Sequence, residues 1–219
     1  MLFRIGMIED DLAEASSIML SLDVNSNQLT EESFKLYELQ EEPEFREKLF
    51  AEIESDIINN QIQCLIVDYK LDTLREVLEG IEIVKYLHDK IPEFPVVILT
   101  NVPDKSKSND MADPDKVYAK EIFMKPDALE TKEMVYHIER NLERYTKRRA
   151  DLELQQEQAL NLVIGESKYD EQNYGKLLDI ERELIKYVPI EMNGVDEAYD
   201  MEDMEKALDA LREYKKLLE

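Results

Sequence analysis

Apolar and polar positions change period several times along the chain, and each change marks an element. "LFRIGMI" (2–8) reads as a strand, and "DLAEASSIMLSL" (11–22) follows at helical spacing through Leu12, Ala15, Ile18 and Met19. "SFKLYELQ" (33–40) predicts a second strand, and 43–60 a helix with Phe45, Leu49, Ile53 and Ile57 on one face. "IQCLIVD" (62–68) has almost no polar alternation, as in a parallel strand covered on both faces. A helix over 74–91, a buried strand "FPVVILT" (94–100) and a short strand "EIFMK" (121–125) complete the series. Five strands separated by helices predict an α/β fold with a parallel sheet and right-handed crossovers. The polar stretch 101–116, with two prolines and no apolar stripe, predicts a short helix or a loop.

After "MKPDALE" the pattern changes. No proline or glycine interrupts 128–164, and Gly165 stands as a helix stop. Ile138, Leu142, Tyr145, Leu152, Ala159 and Val163 recur at alternating four- and three-residue steps, with Arg149 and Gln156 in the same seam. This heptad, coiled-coil-like pattern suggests a helix that leaves a domain and pairs with something. Two more helices are expected near 174–188 and 202–218. The division that follows is residues 1–140, with the last helix running on to about 165, and a helical interaction module over 141–219.

Charge sharpens the picture. The 219 residues carry a formal net charge of −24, which repels nucleic acid and anionic membranes and favours divalent cations or basic partner surfaces. Only residues 128–165 are near neutral, with 6 basic and 7 acidic side chains. Arg140, Arg144, Lys147, Arg148 and Arg149 alternate there with Glu139 and Glu143, which predicts an ion-paired helix face. The single Cys64 cannot form an internal disulfide. No apolar run approaches the roughly 20 residues of a membrane span, and the N-terminus turns acidic too soon for a signal peptide, so a cytoplasmic protein is expected. With 5 glycines and no phosphate-cradling cluster among them, ATP hydrolysis is not expected.

In a doubly wound sheet, ligands sit beyond the carboxyl ends of the strands. The first predicted strand ends in Glu9, Asp10 and Asp11, the third in Asp68, the fourth in Thr100 and the fifth in Lys125. Singly these are ordinary: Asp11 with Glu14 makes a capping box, and Asp68 could form a turn. Jointly they place carboxylates, a hydroxyl and an amine on one rim. Gathered carboxylates need neutralising, which points to Mg²⁺ and a lysine. Such a site can accept a phosphoryl group on Asp68, with Thr100 and Lys125 contacting the transferred oxygens.

The stretches "IGMIEDD", "CLIVDYKL", "EGIEIVKYLHDKIPEFPVVILTN" and "IFMKP" resemble the receiver domains of two-component response regulators, over about residues 1–140. The resemblance implies a flavodoxin-like sheet of order 2-1-3-4-5. It implies Asp68 as phosphoacceptor, with Asp10, Asp68 and the Lys70 backbone carbonyl ligating Mg²⁺, Glu9 acting through water, and Thr100 and Lys125 contacting the phosphoryl group. Asp72 replaces the proline usual after the phosphoacceptor loop, and Ile122 stands where the family carries an aromatic, three residues before its lysine. A histidine kinase or phosphotransfer protein is the implied donor. The protein would catalyse at most its own phosphorylation and dephosphorylation, and would signal through protein contacts or self-association of its C-terminal helices. A phosphate sink and a phosphorylation-independent scaffold are the alternatives.

Overall fold

A computed structural model describes residues 3–39, 44–71, 78–101, 117–165 and 171–189. The expected helix over 202–218, position Asp72 and residues 102–116 lie outside them. Strand β1 (Ile5–Ile8), helix α1 (Leu12–Asn25), a 3₁₀ turn (Glu31–Ser33), β2 (Phe34–Leu36), α2 (Phe45–Ile58) and β3 (Cys64–Asp68) come first. Two antiparallel two-residue strands, β4 (Lys70–Leu71) and β5 (Leu78–Glu79), precede α3 (Gly80–Lys90). Then come β6 (Val96–Thr100), β7 (Val117–Ala119), a single turn α4 (Lys120–Phe123), the long α5 (Leu129–Gly165) and α6 (Glu171–Leu184).

The sheet is parallel throughout, in the order β2-β1-β3-β6-β7. Counting only its five strands, this is the expected 2-1-3-4-5 order of a flavodoxin-like fold. Side chains alternate between two buried faces, as the unbroken apolar runs of β3 and β6 require. Met7, Cys64, Ile66, Val97 and Leu99 face α1 and the first half of α5. Ile8, Leu65, Val67 and Val96 face α2 and α3.

Three expectations are corrected. The fifth strand is not 121–125 but Val117–Ala119, and residues 120–123 form a helical turn. The helix expected over 74–91 is described from Gly80, because Leu78 and Glu79 pair antiparallel with Leu71 and Lys70; residues 74–77 lie outside the described residues. The seam of the long helix does not await another chain. Ile138 and Leu142 are buried on the α1 side, while Tyr145 and Leu152 enter the core on the α2 side with Leu184 and Tyr187. The Tyr145 hydroxyl donates to the Tyr187 carbonyl at 2.7 Å, and the Phe94 and Tyr145 rings meet edge to face. The polar seam positions are used as well. Arg149 donates to the Ile57 and Ile58 carbonyls at 2.7 and 3.1 Å, closing the C-terminus of α2, whose last carbonyls lack helical partners. Gln156 reaches Glu181 of α6 at 3.3 Å. Arg149 is therefore buried rather than part of a surface strip, although it still pairs with Glu153 at 2.8 Å.

Residues Met1–Pro189 form one compact unit, so the expected division at 140/141 falls inside α5, between two buried stretches of one helix. Among the described residues no helix is long and apolar enough to cross a membrane.

Gly80 joins the fold to the site. A Cβ there would lie 2.0 Å from the Asp68 carbonyl oxygen and 2.8 Å from Val67 Cγ1. Only glycine lets α3 begin against the end of β3. Gly80→Ala should therefore push β3 and α3 apart and destabilise the protein by more than the roughly 1–3 kcal/mol of ordinary overpacking, read as a lowered urea midpoint.

Candidate functional site

Glu9, Asp68 and Lys120 are all buried polar residues at the carboxyl rim, delivered by the ends of β1, β3 and β7. Glu9 follows β1 and Asp68 is the last residue of β3. Because β1 and β3 pair in register, with Ile8 opposite Val67, the two carboxylates emerge side by side. Thr100 ends β6 one step beyond the partner of Asp68 and is buried. Carboxylate oxygens of Glu9, Asp10 and Asp68 all lie within 4.8 Å of one another.

The residue that holds this cluster together is Lys120. It follows β7 directly, is 3% exposed, and its Nζ lies 2.8 Å from Glu9 Oε2, 2.9 Å from Asp68 Oδ2 and 2.7 Å from Glu14 Oε2. Lys125 does not reach the cluster. Its side chain is 68% exposed, past the end of α4, with Glu121 at 3.6 Å as its ion-pair partner. Nor is Ile122 three residues before the working lysine; Val117 is, and it is buried. The reason is length. The strand runs out at Ala119, so the first residue beyond it is 120, and the helical turn carries Lys125 away from the rim.

Glu14 is the second residue that sequence reasoning assigned elsewhere. Asp11 caps α1, accepting from the Ala13 and Glu14 backbone N–H groups at 2.8 and 3.1 Å. The reciprocal half of the capping box is absent: Asp11 N–H donates to Glu9 Oε1 at 3.3 Å, and the Glu14 carboxylate turns to Lys120. No local signal in the sequence marks this pairing, because Lys120 lies 106 positions away.

Burial dominates the electrostatics. It pushes the Glu9 carboxyl up to about 7, against the Lys120 hydrogen bond that lowers it, with nearby Asp68 adding to the rise. Asp68 is raised for the same first reason, offset by Lys120 and by the Lys70 backbone N–H. Lys120 is pulled down by its own burial, but the hydrogen bonds it donates to Glu14, Glu9 and Asp68 outweigh that and hold it charged. Glu9, Asp10, Glu14 and Asp68 oppose a single ammonium, so the site remains net anionic when ionised. The hard oxygen donors of Glu9, Asp10 and Asp68 fit a small divalent cation such as Mg²⁺.

This has a pH consequence. A carboxyl raised in the fold contributes stability below its ordinary range and loses it as pH climbs through the folded value. Metal-free protein should thus lose stability from this cluster between about pH 4.5 and about pH 7. A cation needs the ionised forms. The rise in melting temperature given by millimolar Mg²⁺ should therefore be larger at about pH 8 than at about pH 5.5.

Sheet order and rim define a flavodoxin-like α/β protein with a lysine-neutralised carboxylate cluster at the carboxyl ends of its strands. Two solved structures with which it shares likeness are response regulators. One is a CheY-like response regulator receiver domain protein from Methanospirillum hungatei, at 16% identity and a TM-score of 0.43, covering 68% of this chain and 99% of that one. Another is the Salmonella typhimurium RcsB response regulator, at 14% identity and a TM-score of 0.42, covering 84% of this chain and 92% of that one. No family model matches the chain, and no curated protein matches it.

Proposed function

We propose that the chain is a response-regulator-like phosphoacceptor, with Asp68 the carboxylate that takes the phosphoryl group. The observation that carries this is the Lys120 ammonium, 2.9 Å from Asp68 Oδ2, beside three carboxylates close enough to share a cation. An Asp68 oxygen attacks the phosphorus of an acyl or histidyl phosphate. A P–O bond to Asp68 forms, and the bond to the donor breaks, the donor leaving with its electron pair. Lys120, in the role first expected of Lys125, stabilises charge on the transferred oxygens. Thr100, buried on the neighbouring strand, is the hydroxyl donor to them. Asp10, Asp68 and the Lys70 carbonyl would hold Mg²⁺, with Glu9 acting through water. The cation, when bound, supplies the remaining charge neutralisation.

The donor is a histidine kinase or phosphotransfer protein. The output passes through protein contacts of residues 141–219, not through DNA, since a chain of net charge −24 opposes a phosphate-tracking surface. With the α5 seam occupied internally, Leu154, Leu160 and Leu162 are the exposed large apolar residues of α5 beyond residue 140 among the described residues.

Intact mass after incubation with acetyl phosphate and Mg²⁺ tests the reading. A labile phosphoryl adduct is expected on the parent and not on Asp68→Asn. No adduct on either protein would favour a scaffold that works without phosphate, and a rapidly lost adduct with unchanged assembly would favour a phosphate sink.

A further inference from the structure

The Lys120 ammonium carries three N–H donors, and each has a carboxylate within 2.9 Å: Glu9, Asp68 and Glu14. The lysine is thus saturated before any phosphoryl group arrives. A new oxygen on Asp68 can be bound only if one of the three yields. Glu9 and Asp68 side chains are 2% and 8% exposed, whereas Glu14 is 33% exposed. A buried carboxylate stripped of its partner bears the full desolvation penalty, while one at the surface exchanges its partner for water. Glu14 is also the one of the three outside the cation-capable group of Glu9, Asp10 and Asp68.

We propose that Glu14 is a positioning residue that holds Lys120 in the unphosphorylated protein and competes with the phosphoryl group for it, so that it sets the rate at which Asp68 is loaded. This rests on the phosphoacceptor reading above. Glu14 is anchored for the role. Its backbone N–H is fixed by the Asp11 cap, and α1 grips the segment that carries Lys120 at two further points. Ser21 donates to the Phe123 carbonyl, and Asn25 donates to the Pro126 carbonyl at 2.8 Å. Residues 14, 21 and 25 thus clasp 120, 123 and 126. Release of Glu14 loosens the end of that clasp nearest the phosphoryl group, which makes α1 the element that registers loading.

The competition works against loading in two ways. An occupied Lys120 is not available to the transferred oxygens, and the Glu14 charge repels them. Glu14→Gln keeps the shape and weakens both effects. Glu14→Asp keeps the charge but is one methylene too short to hold the ammonium in the same place.

The experiment compares parent, Glu14→Gln and Glu14→Asp as full chains, by loading rate from acetyl phosphate with Mg²⁺, together with melting temperature and Mg²⁺ affinity. Glu14→Gln should load faster, by about 2- to 5-fold, the equivalent of one partly exposed ion pair. Glu14→Asp should also exceed the parent, by less. Mg²⁺ affinity and melting temperature should change little. A merely structural loss would slow loading or lower the melting temperature instead. Equal or slower loading by Glu14→Gln, with a parent that loads normally, overturns the competition and leaves the phosphoacceptor reading intact. A parent that takes up no phosphoryl group overturns both.

Discussion

Lys120→Ala is expected to abolish phosphoryl loading and to destabilise the fold, while Lys125→Ala does neither. Removing the ammonium leaves Glu9 and Asp68, both nearly buried, facing each other and Asp10 without a counter-charge. Breaking a buried ion pair from one side costs about 3–5 kcal/mol. Protonation of Glu9, already raised by burial, relieves part of that. Loss of a preorganised charge at the transferred oxygens lowers the rate by about 100-fold or more. Lys125, exposed and paired only with exposed Glu121, should change stability by no more than about 0.5 kcal/mol. Urea melts and acetyl phosphate loading of the two variants give the comparison directly. Loss of loading in Lys125→Ala, with Lys120→Ala unaffected, would remove the site as drawn from the geometry.

That contrast also marks what the sequence makes legible. Four of the five sheet strands and the rim positions of Glu9, Asp10, Asp68 and Thr100 follow from apolar runs that stop abruptly at a polar residue, whereas the order of the sheet comes only from the family resemblance. Such runs have one structural explanation when helices alternate with them. The fifth strand has three residues, Val117–Ala119, too few to show a period. The next apolar residues, Ile122 and Phe123, precede a Lys-Pro pair and mimic a strand end. Yet Phe123 is fully buried from a helical turn, on the α1 side of the core. A displacement of five residues in one element moved the lysine.

Glu14 was hidden differently. A carboxylate three residues after a helix cap has an adequate local role, and nothing local reveals that a lysine 106 positions away takes it instead. The seam of α5 shows the same limit at larger scale. Its heptad spacing is real, and Arg149 and Gln156 belong to it, but the period says only that the face is buried. Whether a second chain or the same chain buries it depends on where α2 and α6 lie, which no spacing within α5 encodes.

A chain ended after residue 140, at the division the sequence suggests, should for that reason fail to fold stably. It would lose Leu142, Tyr145, Leu152, Leu184 and Tyr187, all buried in the two main cores. It would also lose Arg149, which closes the α2 C-terminus. Truncating one large buried side chain costs about 2–5 kcal/mol, and a whole domain is stable by only about 5–15 kcal/mol. Five such losses reach or exceed that margin, and four of them, all but Leu142, fall together on the face where Leu49, Ile53 and Phe94 would then meet water. Leu152→Ala alone should lower the melting temperature and leave a folded, cooperative protein. Circular dichroism melts and sedimentation of the 1–140 chain, the Leu152 variant and residues 1–189 distinguish the cases. A cooperative 1–140 chain melting near the temperature of the parent would mean that the second half of α5 and α6 merely lie against a self-sufficient α/β domain. Aggregation of 1–140 beside a well-folded 1–189 would mean that the helices beyond 140 are part of the α/β core, so that anything binding α5 acts on the sheet that carries Asp68.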